Sequence, residues 1–266
     1  MTSDTPSGMQ AEAAAESLPL FYKDPVLLRF EEHRDAGLMP SAHFGFAGET
    51  AAVPLCAGEF MAAMQHYPIV FATGDEVAAI ALVGIERDRN LFVERDGGWT
   101  AGRYLPAYVR RYPFTVMETE DRSQRLLSVD RGSDRFVSSA ATRAEAQRLF
   151  DDQGGPTAAA RHAMVFCHAY HTDMAATAAF GQALRTAGLL LPYHAEFKLH
   201  DGTHHQVSGF HAVDEQAFRA LPSETVRDWH VKGWLGLITL HLASLQNFAA
   251  LIDLHARRAS ERKALS

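Results

Sequence analysis

Apolar positions are arranged differently in the two halves of the chain. In the first half they cluster in short runs bounded by turn residues. Tyr67–Ala72, Val77–Ile85 and Leu91–Glu94 are β-favouring, separated by Thr73-Gly74-Asp75 and by the charged stretch Glu86–Asn90. Asp96-Gly97-Gly98 predicts a turn before Trp99, and Pro113–Glu118 and Arg125–Asp130 predict further strands. Upstream, Pro19, Pro25 and Pro40 break Leu18–Phe46 into an irregular arm around one amphipathic piece, Leu27–Arg34.

From about Thr142 the period becomes helical. Thr142 with Glu145 fits a capping box opening a helix through Phe150, which Gly154-Gly155-Pro156 would end. Thr157–Ala187 is alanine-rich, carries Phe166, Tyr170, Met174 and Phe180 at near-helical spacing, and meets a C-cap in Gly188. His194–Leu199 and Gln206–Val213 read as a hairpin around Asp201-Gly202-Thr203. Asp214 caps a short helix to Leu221, and Ser223 opens a final helical pattern running to about Ala259. Strands and helices do not alternate regularly enough for a doubly wound sheet. The expected fold is α+β, with a mixed or largely antiparallel sheet packed on long C-terminal helices. Residues 19–259 are expected to form one unit, with a subdivision near 140 as the alternative. Residues 1–18 and 260–266 are expected to be tails.

Composition narrows the function classes. The chain has 266 residues, 25 Lys+Arg against 32 Asp+Glu and a formal net charge of −7, which argues against binding nucleic acid through phosphates. The two cysteines, Cys56 and Cys167, rule out a disulfide framework or a four-cysteine zinc site. Residues 1–18 lack the basic and apolar parts of a secretory signal. Trp234–Ile252 has the length of a membrane span, but His241, Ser244, Gln246 and Asn247 interrupt it. A cytoplasmic protein without an integral span is therefore expected. The apolar surplus on this last helix implies deep burial or self-association into a homo-oligomer.

Several phrases in order resemble the SapC family: Pro19–Lys23, Val53-Pro54-Leu55 with Gly58-Glu59-Phe60, Tyr67–Phe71, Asn90–Val93 with Trp99, and Tyr104–Phe114. Gly188-Leu189-Leu190, Asp201-Gly202, Gly209-Phe210, Val213-Asp214-Glu215 and Ser244–Asn247 continue the resemblance, which spans about residues 19–252. The family takes its name from secretion of a bacterial surface-layer protein. Related genes occur beside outer-membrane receptors and tryptophan-halogenase-like enzymes. The resemblance implies a bacterial accessory or binding protein in a cell-envelope, surface-layer or peptide- or substrate-modification pathway. It carries over no catalytic residue.

Two constellations could carry chemistry. Tyr104, Tyr108 and Tyr112 interleave with Arg110 and Arg111, and aromatic faces beside guanidinium groups can hold a planar or anionic ligand. These five residues are the expected binding surface for a protein, peptide or small molecule, lying beside the main pocket with Arg110 or Arg111 aimed into it. The other constellation is histidine: 11 of 14 fall between His162 and His255. His171-Thr172-Asp173 spells the HxD pair of a 2-His-1-carboxylate iron site, with His211 or His230 as the distant ligand. On a helix, however, residues two apart point in different directions. His204 and His205, beside His200, read as a hairpin tip before a zinc cage. No cofactor is favoured. Iron or zinc in an oxygenase-like enzyme acting on a peptide or amino acid is the alternative. The chain lacks a G-x-S-x-G elbow and a P-loop, and Cys56 reads as a core residue.

Overall fold

The computed structural model describes residues 18–74, 76–118, 125–198 and 204–263. In chain order the first part comprises β1 (Pro25–Leu27), α1 (Phe30–His33), β2 (Gly37–Leu38), β3 (Ala52–Pro54), α2 (Phe60–Ala63), β4 (Ile69–Ala72) and β5 (Ala79–Leu82). Then come α3 (Ala107–Arg111), β6 (Phe114–Glu118), β7 (Arg125–Asp130), β8 (Phe136–Val137) and β9 (Gln147–Arg148). The second part holds α4 (Ala158–Thr186), β10 (Leu190–Lys198), β11 (His204–Val213), α5 (Glu215–Arg219), α6 (Ser223–Val231), α7 (Trp234–Ser244) and α8 (Asn247–Lys263). Every described strand pairing is antiparallel, in sheets ordered β10-β11-β4-β5-β3, β1-β7-β6 and β8-β2-β9. The fold is α+β.

The helix α4 joins two cores. Its 29 residues follow the N-cap Thr157, whose hydroxyl accepts from the Ala160 N–H, and stop before Gly188 at φ +67. Ala160, Ala163 and Cys167 pack with Leu38, Phe114, Leu127, Val129 and Leu149 near the three-stranded sheets. Tyr170, Phe180 and Leu184 join the larger core against the five-stranded sheet.

The apolar run after Ser223 is three helices rather than one. Gly233, at φ +73, breaks it between α6 and α7, and a turn at 245–246 separates α7 from α8. Trp234–Arg262 is long and apolar enough to cross a membrane by length and composition. Its polar groups grip the protein's own sheet. The Ser244 hydroxyl accepts from the Ile69 N–H at 2.9 Å. The Asn247 amide donates to the Met64 and Tyr67 carbonyls at 2.7 and 3.1 Å. Leu245 is half-buried, while Ile238, Phe248 and Leu251 are in the core.

Three expectations need correction. Thr142–Phe150 is not a helix. Ala140–Thr142 forms one 3-10 turn, and β9 pairs with β2 so that Leu149 is fully buried, because burying it against Ala36 and Leu38 outweighs the weak capping signal. Leu91–Glu94 forms only a bridge, Val93 to Trp99, since the Asn90 carboxamide takes the Phe92 N–H and Thr100 takes the Phe92 carbonyl. The first half, read as short strands and turns, holds α3 within Tyr104–Phe114. Residues 1–17 of the expected N-terminal tail and the tip Asp201-Gly202-Thr203 lie outside the described residues.

Close backbone approach constrains the bend after β5. A Cβ on Gly84 would lie 1.8 Å from the Arg89 carbonyl oxygen and 3.1 Å from the Ala51 Cα. Both neighbours are backbone, so Gly84→Ala must move the loop. We expect a loss of about 3 kcal/mol in urea denaturation; an unchanged midpoint would show that the loop yields freely.

Candidate functional site

The Tyr104–Phe114 segment is fixed from below by a buried acid. Glu59, 6% exposed, accepts from the Tyr104 hydroxyl at 2.8 Å and the Ala107 N–H at 2.6 Å through one oxygen. Its other oxygen accepts from the Cys56 N–H at 2.9 Å. The start of α3 is thereby clamped to the turn before α2. Arg110 lies at the surface, 5.3 Å from the Phe166 ring centroid, with one nitrogen donating to the Tyr104 hydroxyl at 3.3 Å.

Arg111 turns inward. Its guanidinium sits 4.2 Å from the Tyr108 ring centroid, 4.6 Å from Tyr170 and 5.5 Å from Tyr22, a three-sided aromatic cage. Burial holds the Tyr22, Tyr108 and Tyr170 hydroxyls above the usual phenol range, so the rings around the cation are neutral. Arg111 Nε and the Tyr170 hydroxyl are buried without hydrogen-bond partners among the described residues. The cage ties α3 to α4 and braces Tyr22 from behind. Neither Arg110 nor Arg111 lines the main cleft, and nor do Tyr104 and Tyr108; of the five expected residues, Tyr112 does.

That cleft has a volume of about 890 Å³. Its aromatic wall is Phe21, Tyr22, Phe46 and Tyr112, with the Phe46 and Tyr112 centroids 4.1 Å apart and Phe21 edge-on to Phe46 at 5.3 Å. Phe21 is a non-glycine residue at φ +77, a left-handed conformation that costs energy and puts its ring on this wall. Lys23, Arg135 and Arg143 supply positive charge and Glu49 and Asp134 negative, with His43 beside them.

Asp130 organises the cleft from beneath. Fully buried, it accepts from the Lys23, Asp24 and Gly132 N–H groups and from the Tyr112 hydroxyl at 2.9 Å. Burial, then the bond to Asp130 and its charge, push the Tyr112 phenol up to about 12, so it donates at neutral pH. Arg135 reaches two backbone carbonyls, Met39 through Nε at 3.0 Å and Tyr112 through Nη1 at 3.3 Å. No carboxylate lies within ion-pair reach of Lys23, Arg135 or Arg143 among the described residues. Partial burial works against the Arg135 charge, yet guanidinium remains protonated. The cleft therefore offers stacking faces beside cations that form no ion pair among the described residues.

The candidate metal ligands His171, Asp173, His211 and His230 do not line it. His171 and Asp173 are on α4, two positions apart and so on different faces, while His211 is on β11 and His230 on α6. His200 lies outside the described residues, as do the side chains of His204 and His205. Among the described residues, no three His, Cys, Asp or Glu side chains come together in a group that could hold a metal. Burial, and then the nearby Glu59, push the Cys56 thiol well above its ordinary range, and burial pushes Cys167 up to about 11. Neither thiol is ionised at neutral pH.

Sequence reasoning missed most of the cleft. Lys23 and Phe46 come from the stretch that read as an irregular arm, Arg135 from a stretch that predicted no element, and Arg143 from the helix expected over Thr142–Phe150. The one signal was Pro19–Lys23, a block of the family resemblance that includes Phe21 and Lys23. The SapC family model matches residues 28–251. No curated protein and no solved structure matches the chain.

Proposed function

The chain belongs to the SapC family, and on that premise we propose that it is a soluble bacterial binding or accessory protein. In this reading it works in the cytoplasm for a cell-envelope, surface-layer or peptide- or substrate-modification pathway. It does so by holding a protein, peptide or small molecule in the cleft beside Tyr112. The observation that carries the reading is the cleft itself: about 890 Å³, within the range of ligand sites, with an aromatic wall and cations that form no ion pair among the described residues. The arginine-tyrosine segment contributes Tyr112 directly and Arg111 as the brace behind Tyr22. The alternative, a metal-dependent oxygenase, finds no support in the separate positions of His171, Asp173 and His211.

Nitrogen-15 NMR with a panel of acidic, neutral and basic peptides and aromatic small molecules tests this. Binders are expected to shift the amides of Phe21, Phe46 and Tyr112, and Phe46→Ala to weaken them about tenfold through lost stacking area. Binders whose shifts centre on α8 or the outer face of α4 would overturn it.

A further inference from the structure

We infer that the ligand of this cleft is an aromatic carboxylate, its ring against Phe46 and Tyr112 and its carboxylate on Arg135, with Lys23 and Arg143 adding charge. This rests on the cleft being the binding site, as proposed above, and goes on to name what it takes. Arg135 is the central group. Its Nε and Nη1 are anchored on the Met39 and Tyr112 carbonyls, which fixes the guanidinium plane, while Nη2 makes no hydrogen bond within the described residues. A guanidinium anchored in this way, with donors to spare, is prepared for a planar acceptor and loses little side-chain freedom on binding.

Its backbone anchor is the carbonyl of Tyr112, whose ring forms the aromatic wall with Phe46. One residue therefore positions both halves of the site. Lys23 is held nearby: its N–H is bound by Asp130, and its stem lies against Gly132, where a Cβ would come within 2.7 Å of the Lys23 Cβ. The acids set the charge of the ligand. Glu49 and Asp134 line the same cleft, so its three Lys and Arg side chains exceed its Asp and Glu side chains by one. That excess suits a single carboxylate and disfavours a dianion such as phosphate.

An aromatic carboxylate can be a free acid or the end of a peptide chain, and the test separates them. Calorimetric titrations would use N-acetyl-tryptophan, its amide, N-acetyl-alanine, and a tetrapeptide ending in tryptophan as acid and as amide. We expect both tryptophan acids to bind, with each amide and the alanine acid about tenfold or more weaker, and affinity to fall as salt rises. A tighter tetrapeptide would identify a chain end; equal affinities would identify the free acid. Because Arg135→Gln also releases two backbone carbonyls, the variants of choice are the exposed Arg143→Gln and Lys23→Gln. Each is expected to weaken the acids several-fold and leave the amides unchanged. Amides binding as well as acids would overturn the inference and leave the cleft reading standing. Tryptophan acids that bind and shift no cleft amide would overturn both.

Discussion

Replacing Glu59 with alanine is expected to destabilise the protein by about 3–5 kcal/mol, because each buried donor it leaves unpaired costs about 1–3 kcal/mol. The variant strands two buried N–H groups, at Cys56 and Ala107, together with the Tyr104 hydroxyl. Tyr104→Phe removes one donor and leaves the carboxylate with two, so about 1 kcal/mol is expected. Glu59→Gln should fall between them, because an amide turned toward the Cys56 N–H places donor against donor. Urea denaturation of the three variants checks this ordering. A Glu59→Ala protein as stable as the parent would mean that α3 is held by its apolar contacts alone. The consequence reaches the cleft, since α3 leads directly into Tyr112.

His241 is expected to produce a comparable loss and a distinctive pH dependence. Its ring is fully buried between strands, 5.0 Å from the Phe71 ring. Nε2 accepts from the Val213 N–H at 3.0 Å, so the proton sits on Nδ1, which donates to the Ile69 carbonyl at 2.8 Å. The ring thus bridges β11 and β4, which share only two register pairs of their own. His241→Ala leaves both backbone groups unpaired and a ring-sized cavity, for a loss of about 3–5 kcal/mol.

Burial lowers the His241 pKa from 6.5 to about 4, against the bond to Ile69, which raises it. The stabilising contribution is complete above the unfolded value, where both states are neutral. As pH falls from 6.5 toward 4, the unfolded chain takes a proton that the folded ring refuses. The contribution falls by about 3 kcal/mol across that window. Carboxylates and His66 titrate nearby, so the informative quantity is the difference between the parent and His241→Gln. The parent's stability should fall more steeply between pH 6.5 and 4.5. Parallel curves would contradict a neutral buried ring.

What could be read from the sequence was local. Gly188 and Asp214 are chain-punctuating residues whose roles depend on their immediate neighbours, and each acts as expected. The two strands of the β10–β11 hairpin were legible for the same reason. Thr142–Phe150 was misread because a capping pattern competes with burial of Leu149 against residues more than a hundred positions earlier. The final helical run hid its break because Gly233 stands beside, rather than inside, the apolar period. The site was less legible still. Glu59 and Asp130 are isolated acids in the sequence; their partners, Ala107 for one and Lys23 for the other, are 48 and 107 residues away. Arg110 and Arg111 could be picked out as arginines among tyrosines, but sequence could not say that one caps a surface ring and the other closes an internal cage. The cleft is built from four separated segments, at 21–23, 39–49, 112 and 132–143, with no shared period.

The most direct measurement of the central claim is a crystal structure of the protein with the tryptophan-ended tetrapeptide. The indole is predicted against Phe46 and Tyr112, and the terminal carboxylate within hydrogen-bond distance of the Arg135 guanidinium. A well-ordered peptide bound anywhere else, with the cleft filled only by water, would contradict it.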